Sequence, residues 1–130
     1  MVAYVVNEPV TDHEIDLLAS ASAGVVEIRR WPSNDISLPA DASLGILIIR
    51  ETSVVEEERR VISCVAAGIR LVCVYLDEVL EPAEIVKKYC SANCSLGGTG
   101  FADALKGDDS VQVDHNDQPL PKTNRKHHNC

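Results

Sequence analysis

The residue whose type and position most favour chemistry is Glu58, in a helix-forming segment of the middle of the chain. If each residue turns about 100°, the apolar residues of this segment form one stripe, centred at about 40° from Val54. Its members are Val54, Val55, Val61, Ile62, Val65 and Ala66. Glu58 also falls at about 40°, where a carboxylate is costly unless it is paired, protonated or next to a cavity. The pattern therefore predicts a functional Glu58 on the core-facing side, or else a first turn that overhangs the core and leaves Glu58 in water or paired with Arg50 or Arg59.

Polar residues follow three apolar runs of the chain. Asn7 and Glu8 come after the first run, residues 50–53 after a later one, and Asp77 and Glu78 after a third. In an open parallel sheet the ligand crevice lies beyond the carboxyl ends of the strands, so these loops would border one crevice. Solvated loops are also polar, and each of these residues taken alone fits that interpretation equally well.

Apolar, β-branched runs alternate with helical patterns along the chain, which is typical of a parallel sheet. The pattern predicts strands at 3–6, 25–30, 44–49 and 69–76, with 25–30 at an edge. It predicts helices from a Thr11–Glu14 capping box to Gly24, from a Ser53–Glu56 box to Gly68, and from Pro82 to residue 89 or 91. The predicted fold is α/β, a small open parallel sheet of four to five strands with helices on both faces. It covers residues 1–105, and an irregular polar tail covers 106–130.

An Asp, a buried strand, a polar loop and a helical Glu follow one another in the middle of the chain. Asp41 precedes the apolar run 43–49, Ser53 lies in the loop after it, and the helix with Glu58 leads through 66–68 into the next apolar run. This order resembles the central part of TIR domains and of the related nucleoside 2-deoxyribosyltransferase-like proteins. The opening run 3–6 and its loop are also similar to theirs, so the resemblance covers residues 2–90. Arg60 stands where the transferases commonly have glycine.

The resemblance implies a flavodoxin-like or TIR-like domain that cleaves an N-glycosidic bond, as a hydrolase or transferase acting on NAD or a nucleotide or nucleoside. Glu58 would be the catalytic residue, since a carboxylate can stabilise or trap the oxocarbenium-like centre that the departing base leaves. Ser53, Asn7 and Asp41 would bind the substrate. NAD or the nucleotide would be substrate and not a cofactor, self-association or a partner protein would complete the site, and the expected role is a toxin or antiphage defence effector.

A non-catalytic interaction module is the alternative function. In this interpretation a TIR-like or flavodoxin-like domain contacts a partner protein through its tail or through the loop at 31–42, as a subunit of a complex. The two hypotheses differ in what they predict for Glu58→Gln, which removes base release in the enzyme and leaves the module fully functional.

Charge and hydropathy exclude several classes of protein. The chain has 12 Lys and Arg against 20 Asp and Glu, a formal charge of −8, which disfavours binding of nucleic acid except by the basic cluster at 122–128. No apolar run approaches the ~20 residues that span a bilayer, and the start of the chain lacks a signal-peptide pattern, so we expect a cytoplasmic protein without a membrane anchor. The cysteines are five, an odd number, and a disulfide framework is not expected.

Two further motifs could bind a metal or a phosphate. Possible zinc ligands near the end of the chain are Cys90, Cys94, His115, His127, His128 and Cys130. Their spacing matches no closed zinc site, so no metal is expected. The glycines at 97–100 lack the lysine and the strand context of a P-loop, which favours a simple turn before a short helix.

Overall fold

The computed structural model describes residues 1–32, 37–79, 81–90, 92–96 and 100–107. Its strands are β1 (Val2–Val5), β2 (Glu27–Arg30), β3 (Leu44–Ile48), β4 (Arg70–Tyr75) and β5 (Ala92–Ser95), and its helices are α1 (Asp12–Ala21), α2 (Val55–Ala66), α3 (Glu84–Tyr89) and α4 (Gly100–Leu105). All neighbouring strands pair in parallel, in the order β2-β1-β3-β4-β5. The predicted fold, a small open parallel sheet with helices, is confirmed, and β2 lies at an edge as expected.

The sheet separates two apolar cores. Every residue of β3 is buried, because β3 lies at the centre of the sheet and is covered on both faces. On one face α1 and α4 contribute Leu18 and Phe101, and on the other α2 and α3 contribute Val61 and Ile85. At Gly45 a Cβ would lie 3.0 Å from a sulfur of α2 and 3.1 Å from a methyl group of β4, so glycine lets α2 approach the sheet. Within the described residues, no helix has the length and apolar character needed to cross a membrane.

The helix boundaries differ in part from those predicted. The capping box of α1 is confirmed: the backbone N–H of Glu14 donates to Thr11 Oγ1 at 3.1 Å, and that of Thr11 donates to Glu14 Oε1 at 2.9 Å. The Ser53–Glu56 box is wrong, because α2 is capped at Val54, whose N–H donates to Oε1 of Glu57 at 3.3 Å. The N-cap of α2 is thus one residue later in the chain than the sequence pattern predicted.

The described residues contain a disulfide, although the sequence favours no disulfide framework. Cys73 of β4 and Cys90, which follows α3, form a disulfide with Cα atoms 5.8 Å apart. The chain folds back after α3 to place β5 beside β4, which brings the end of α3 over the middle of β4. Cys64 keeps its thiol, and burial raises the pKa of that thiol to about 11.

Candidate functional site

The order of the strands reverses between β1 and β3, and this is where open α/β sheets bind ligands. The loop after β1 leads to α1 on one face of the sheet, and the loop after β3 leads to α2 on the other. The space between these loops, bordered by residues 7–9 and 50–53, is called the crevice below. The side chains that converge on it come from the loops after β1 and β3, from α2 and from the residue that follows β2.

Asn7 lies at the base of the crevice and joins the two central strands. Its Nδ2 donates to the carbonyl of Ile48 at 3.0 Å, and the N–H of Ile48 donates to its Oδ1 at 2.7 Å. Asn7 is 2% exposed, and its side-chain amide makes the pair of hydrogen bonds to Ile48 that a strand backbone would make there if β1 continued. The structure therefore places Asn7 at the predicted end of the sheet and gives its amide a structural role there.

Arg60 of α2 is a buried cation behind the crevice. Its Nη1 donates to the carbonyl of Val6 at 3.2 Å, and its Nη2 donates to Glu8 Oε2 at 3.0 Å. The guanidinium carbon lies 5.6 Å from the ring centre of Trp31, which follows β2 and makes an edge contact with Tyr4. The side chain of Arg60 is 2% exposed and that of Glu8 is 48% exposed. A buried guanidinium thus holds a half-exposed carboxylate at the rim.

Glu57, and not Glu58, is the buried acidic residue of α2. The carboxylate of Glu57 accepts the N–H of Glu8 on Oε2 at 2.8 Å and that of Val54 on Oε1. It is 3% exposed, whereas Glu58 is exposed. The prediction that Glu58 faces the core is therefore wrong, and the alternative prediction, that the first turn leaves Glu58 in water, is confirmed. Both oxygens of the buried Glu57 carboxylate accept hydrogen bonds from backbone donors.

The physical reason is that α2 buries a different face from the apolar stripe. The buried residues are Glu57, Arg60, Val61 and Cys64, spaced i, i+3, i+4 and i+7. On the same helical wheel they centre at about 290°, roughly 110° from the predicted stripe. The inward charges are satisfied by the loops after β1 and β2, so helical hydrophobicity alone indicated the wrong face. Four members of the stripe are instead exposed: Val54, Val55, Ile62 and Val65.

The structure does not bring the four predicted site residues together. Ser53 is exposed in the loop before α2. Glu58 lies about 160° around α2 from Arg60, on the flank turned away from β1. Asp41 precedes β3 and so lies at the amino-terminal ends of the strands, opposite the crevice. There it accepts hydrogen bonds from Tyr4 Oη at 2.7 Å and from Arg29 at 3.0 Å. The hydrogen bond from Tyr4 lowers the pKa of Asp41 and raises that of Tyr4 itself.

Arg50 connects the loops on both sides of the crevice. Its Nη2 lies 3.2 and 3.1 Å from the two carboxylate oxygens of Glu14, and its Nη1 donates to the carbonyl of Pro9 at 3.1 Å. The backbone carbonyl of Arg50 accepts the N–H of Ala83, at the start of α3. These contacts fix the loops after β1, β3 and β4 relative to one another, so the rim of the crevice is preorganised.

The sequence analysis placed Glu8 in a loop at the crevice but did not name it as a site residue, and it gave Arg60 and Trp31 no role in the site. Glu8 and Arg60 are 52 residues apart in the chain, and only the packing of α2 on the sheet brings them together. The signal in the sequence was the opposite charge of Glu57 and Arg60, three residues apart on one helix face. The indole Nε1 of Trp31 is buried without an acceptor among the described residues.

The described members of the metal and phosphate motifs are Cys90, Cys94 and Gly100. The described residues contain no group of three ligands that could hold a metal ion. Cys90 is in the disulfide, and Cys94 donates to the carbonyl of Cys73. The histidines of the tail, the basic cluster at 122–128 and the glycines at 97–99 lie outside the described residues.

Comparisons with protein-family models, with curated proteins and with solved structures find no match for this chain. The chemistry open to the crevice follows from its geometry. A carboxylate that is half exposed, and whose position is fixed by a buried cation, can stabilise positive charge that develops on a bound molecule. Arg50 and Arg60 each contact a carboxylate, Glu14 and Glu8 respectively, so a phosphate group of a bound ligand would compete with these acids for them.

Proposed function

We propose that the protein binds a nucleotide-type small molecule, NAD or a nucleotide or nucleoside, in the crevice and cleaves its N-glycosidic bond. The observation that supports this proposal best is the half-exposed carboxylate of Glu8, held at the switch point of the sheet by Arg60. In this proposal Glu8 takes the catalytic role that the resemblance assigned to Glu58. We expect the reaction to take place in the cytoplasm, in a toxin or defence effector.

Glu8 suits this role better than the two neighbouring acids of α2. Glu57 is 3% exposed and each of its oxygens accepts a backbone hydrogen bond, so its carboxylate is closed to a substrate. Glu58 is exposed on the flank of α2 that faces away from β1. Glu8 has one oxygen on Arg60 and a side chain that reaches solvent.

The proposed chemistry needs no cofactor. As the bond between the sugar C1′ and the base nitrogen breaks, the electron pair leaves with the base and positive charge grows on the sugar ring. The Glu8 carboxylate stabilises that charge or bonds to C1′, and water or an acceptor base then completes hydrolysis or transfer. Arg60 keeps the carboxylate in place, since the guanidinium is itself fixed by the carbonyl of Val6 and the ring of Trp31.

Base release from NAD and from a panel of nucleosides and nucleotides tests this proposal, with chromatography of the free base as the measurement. Glu8→Gln keeps the shape of the side chain and removes its charge, so we expect base release to fall by about 10²–10³-fold. Glu51→Gln is the matched control on an exposed residue near the same end of the sheet and should keep the wild-type rate.

Two results would contradict the proposal. A wild-type rate in Glu8→Gln combined with a large loss in Glu58→Gln would return the catalytic role to Glu58. No base release by the wild-type protein from any substrate of the panel, at concentrations where it self-associates, would remove the enzymatic function.

A non-catalytic interaction module is the second candidate function, and one observation favours it. The exposed large apolar side chains of the described residues, apart from Met1, all lie on α2 or at its cap. Exposed apolar side chains that are grouped in this way mark contact surfaces more often than scattered ones do. A protein that gives no base release but keeps a specific partner contact through α2 would support this function.

A further inference from the structure

The outward side of α2 carries an unpartnered apolar surface. The buried face centres at about 290° on the helical wheel, so the outward direction is about 110°. Val55, Ile62 and Ala66 lie within about 30° of that direction. Val55 is 59% exposed and Ile62 is 46% exposed. These three residues, together with Arg59, are called the outer face of α2.

Two opposite charges flank this apolar surface. Arg59 falls at about 140° and Glu58 at about 40°, one on each side of the outward direction. Adjacent residues of a helix do not face each other, so these two cannot pair within one α2. Neither forms an ion pair with another residue in the described part of the chain, although five carboxylates elsewhere do pair with an arginine.

We propose that the outer face of α2 binds α2 of a second copy of this chain, in a parallel arrangement about a two-fold axis that runs along the two helices. This inference concerns a surface outside the crevice and does not depend on the proposed glycosidic cleavage. Such an interface is isologous, so the same residues meet across the axis. Val55 packs on Val55 of the second copy and Ile62 on Ile62, at the seven-residue spacing of parallel helix pairs.

Charge complementarity is the reason for choosing a second copy and this orientation. A two-fold axis parallel to the helices places the flank with Glu58 of one copy against the flank with Arg59 of the other. The contact therefore contains two equivalent Glu58–Arg59 pairs, across helix axes about 8–10 Å apart. In an antiparallel pair each flank would meet its own equivalent, and the two Arg59 side chains would repel each other. A partner surface that carries charges of only one sign would place a like charge against either Glu58 or Arg59.

The size of the surface predicts weak association. A helix of 12 residues is about 18 Å long, which offers less than the ~800 Å² per partner of a standard interface. We therefore expect a dimer that forms reversibly at high protein concentration. Sedimentation velocity of the full chain between about 10 μM and about 1 mM covers this range. The wild-type mass should rise from one chain towards two.

Charge reversal tests the pairing. Glu58→Arg alone places two arginines opposite each other across the axis, and Arg59→Glu alone places two acids together, so each variant should sediment as a monomer throughout. An equimolar mixture of the two variants restores both pairs between unlike chains, and the double variant E58R/R59E restores them between like chains. Both samples should dimerise as the wild type does. Asp16→Arg, the same charge change on the exposed side of α1, is the control and should leave dimerisation unchanged.

Cross-linking tests the orientation. With a mild oxidant, Val55→Cys should form a disulfide-linked dimer, because the two Val55 positions meet across the axis in a parallel pair. In an antiparallel pair that brings Val55 onto Ile62 they would be about 10 Å apart. A wild-type protein that stays monomeric at every concentration, a mixture of the two charge variants that fails to associate, or the absence of the Val55→Cys cross-link would overturn the proposal.

Discussion

Replacing Arg60 by Met tests whether the buried guanidinium organises the crevice. Met fills much of the same volume but leaves the buried carbonyl of Val6 without its donor, which costs about 1–3 kcal/mol. The lost contact with Trp31 adds about 0.5–2 kcal/mol. Glu8 adds little, because its half-exposed carboxylate returns to water. Relief from burying an ion offsets part of this sum, so we expect the free energy of unfolding to fall by about 2 kcal/mol.

Urea denaturation followed by circular dichroism measures this loss, and Arg59→Met is the matched control. Arg59 is exposed at the preceding position of the same helix and has no ion pair among the described residues, so its replacement should change the free energy of unfolding by less than about 0.5 kcal/mol. Equal midpoints for the two variants, or an Arg60→Met variant as stable as the wild type, would refute the reasoning that Arg60 supports the crevice.

Three further predictions concern the stability of the fold that carries the site. The disulfide between Cys73 and Cys90 closes a loop of 17 residues, so a reductant should lower the free energy of unfolding by about 3 kcal/mol, and should have no effect on the double serine variant. Tyr4→Phe removes the hydrogen bond that lowers the pKa of Asp41. This hydrogen bond stabilises the fold at pH values above 3.8, the ordinary pKa of the group, and the stabilisation is lost as the pH falls through the lower pKa of Asp41 in the folded protein. The urea midpoints of wild type and Tyr4→Phe should therefore differ at pH 7 and converge below about pH 4; a constant difference would contradict this assignment. Gly45→Ala places a Cβ 3.0 Å from a sulfur of α2 and should lower the melting temperature, at a cost of about 1–3 kcal/mol.

The sheet could be predicted from the sequence because its signals are local. The run that forms β3 is apolar throughout, as a strand covered on both faces must be. The capping box of Thr11 and Glu14 is contained within four residues, and the structure shows both of its hydrogen bonds. The strand order was not predicted, because it depends on which runs meet in space.

The inward face of α2 could not be predicted in the same way. Most apolar residues of α2 lie on one side of the helical wheel, and four of them are exposed to solvent. Glu57 and Arg60 are buried because the loop after β1, about 50 residues away in the chain, supplies partners for both charges, and periodicity within one helix holds no information about that loop. The disulfide escaped prediction for a related reason, since nothing near Cys73 in the sequence indicates that the end of α3 returns to β4.

Whether a nucleotide-type ligand binds in the crevice is tested most directly by NMR titration of the indole N–H of Trp31. Trp31 is the single tryptophan of the chain, it is 4% exposed, and its ring contacts Arg60 behind Glu8, so its signal is unique and reports on this region. We predict that NAD or a nucleoside shifts the indole signal saturably in the wild type and that Glu8→Gln weakens this binding. A ligand that binds by calorimetry while the indole signal stays unchanged would contradict the assignment of the crevice as the binding site.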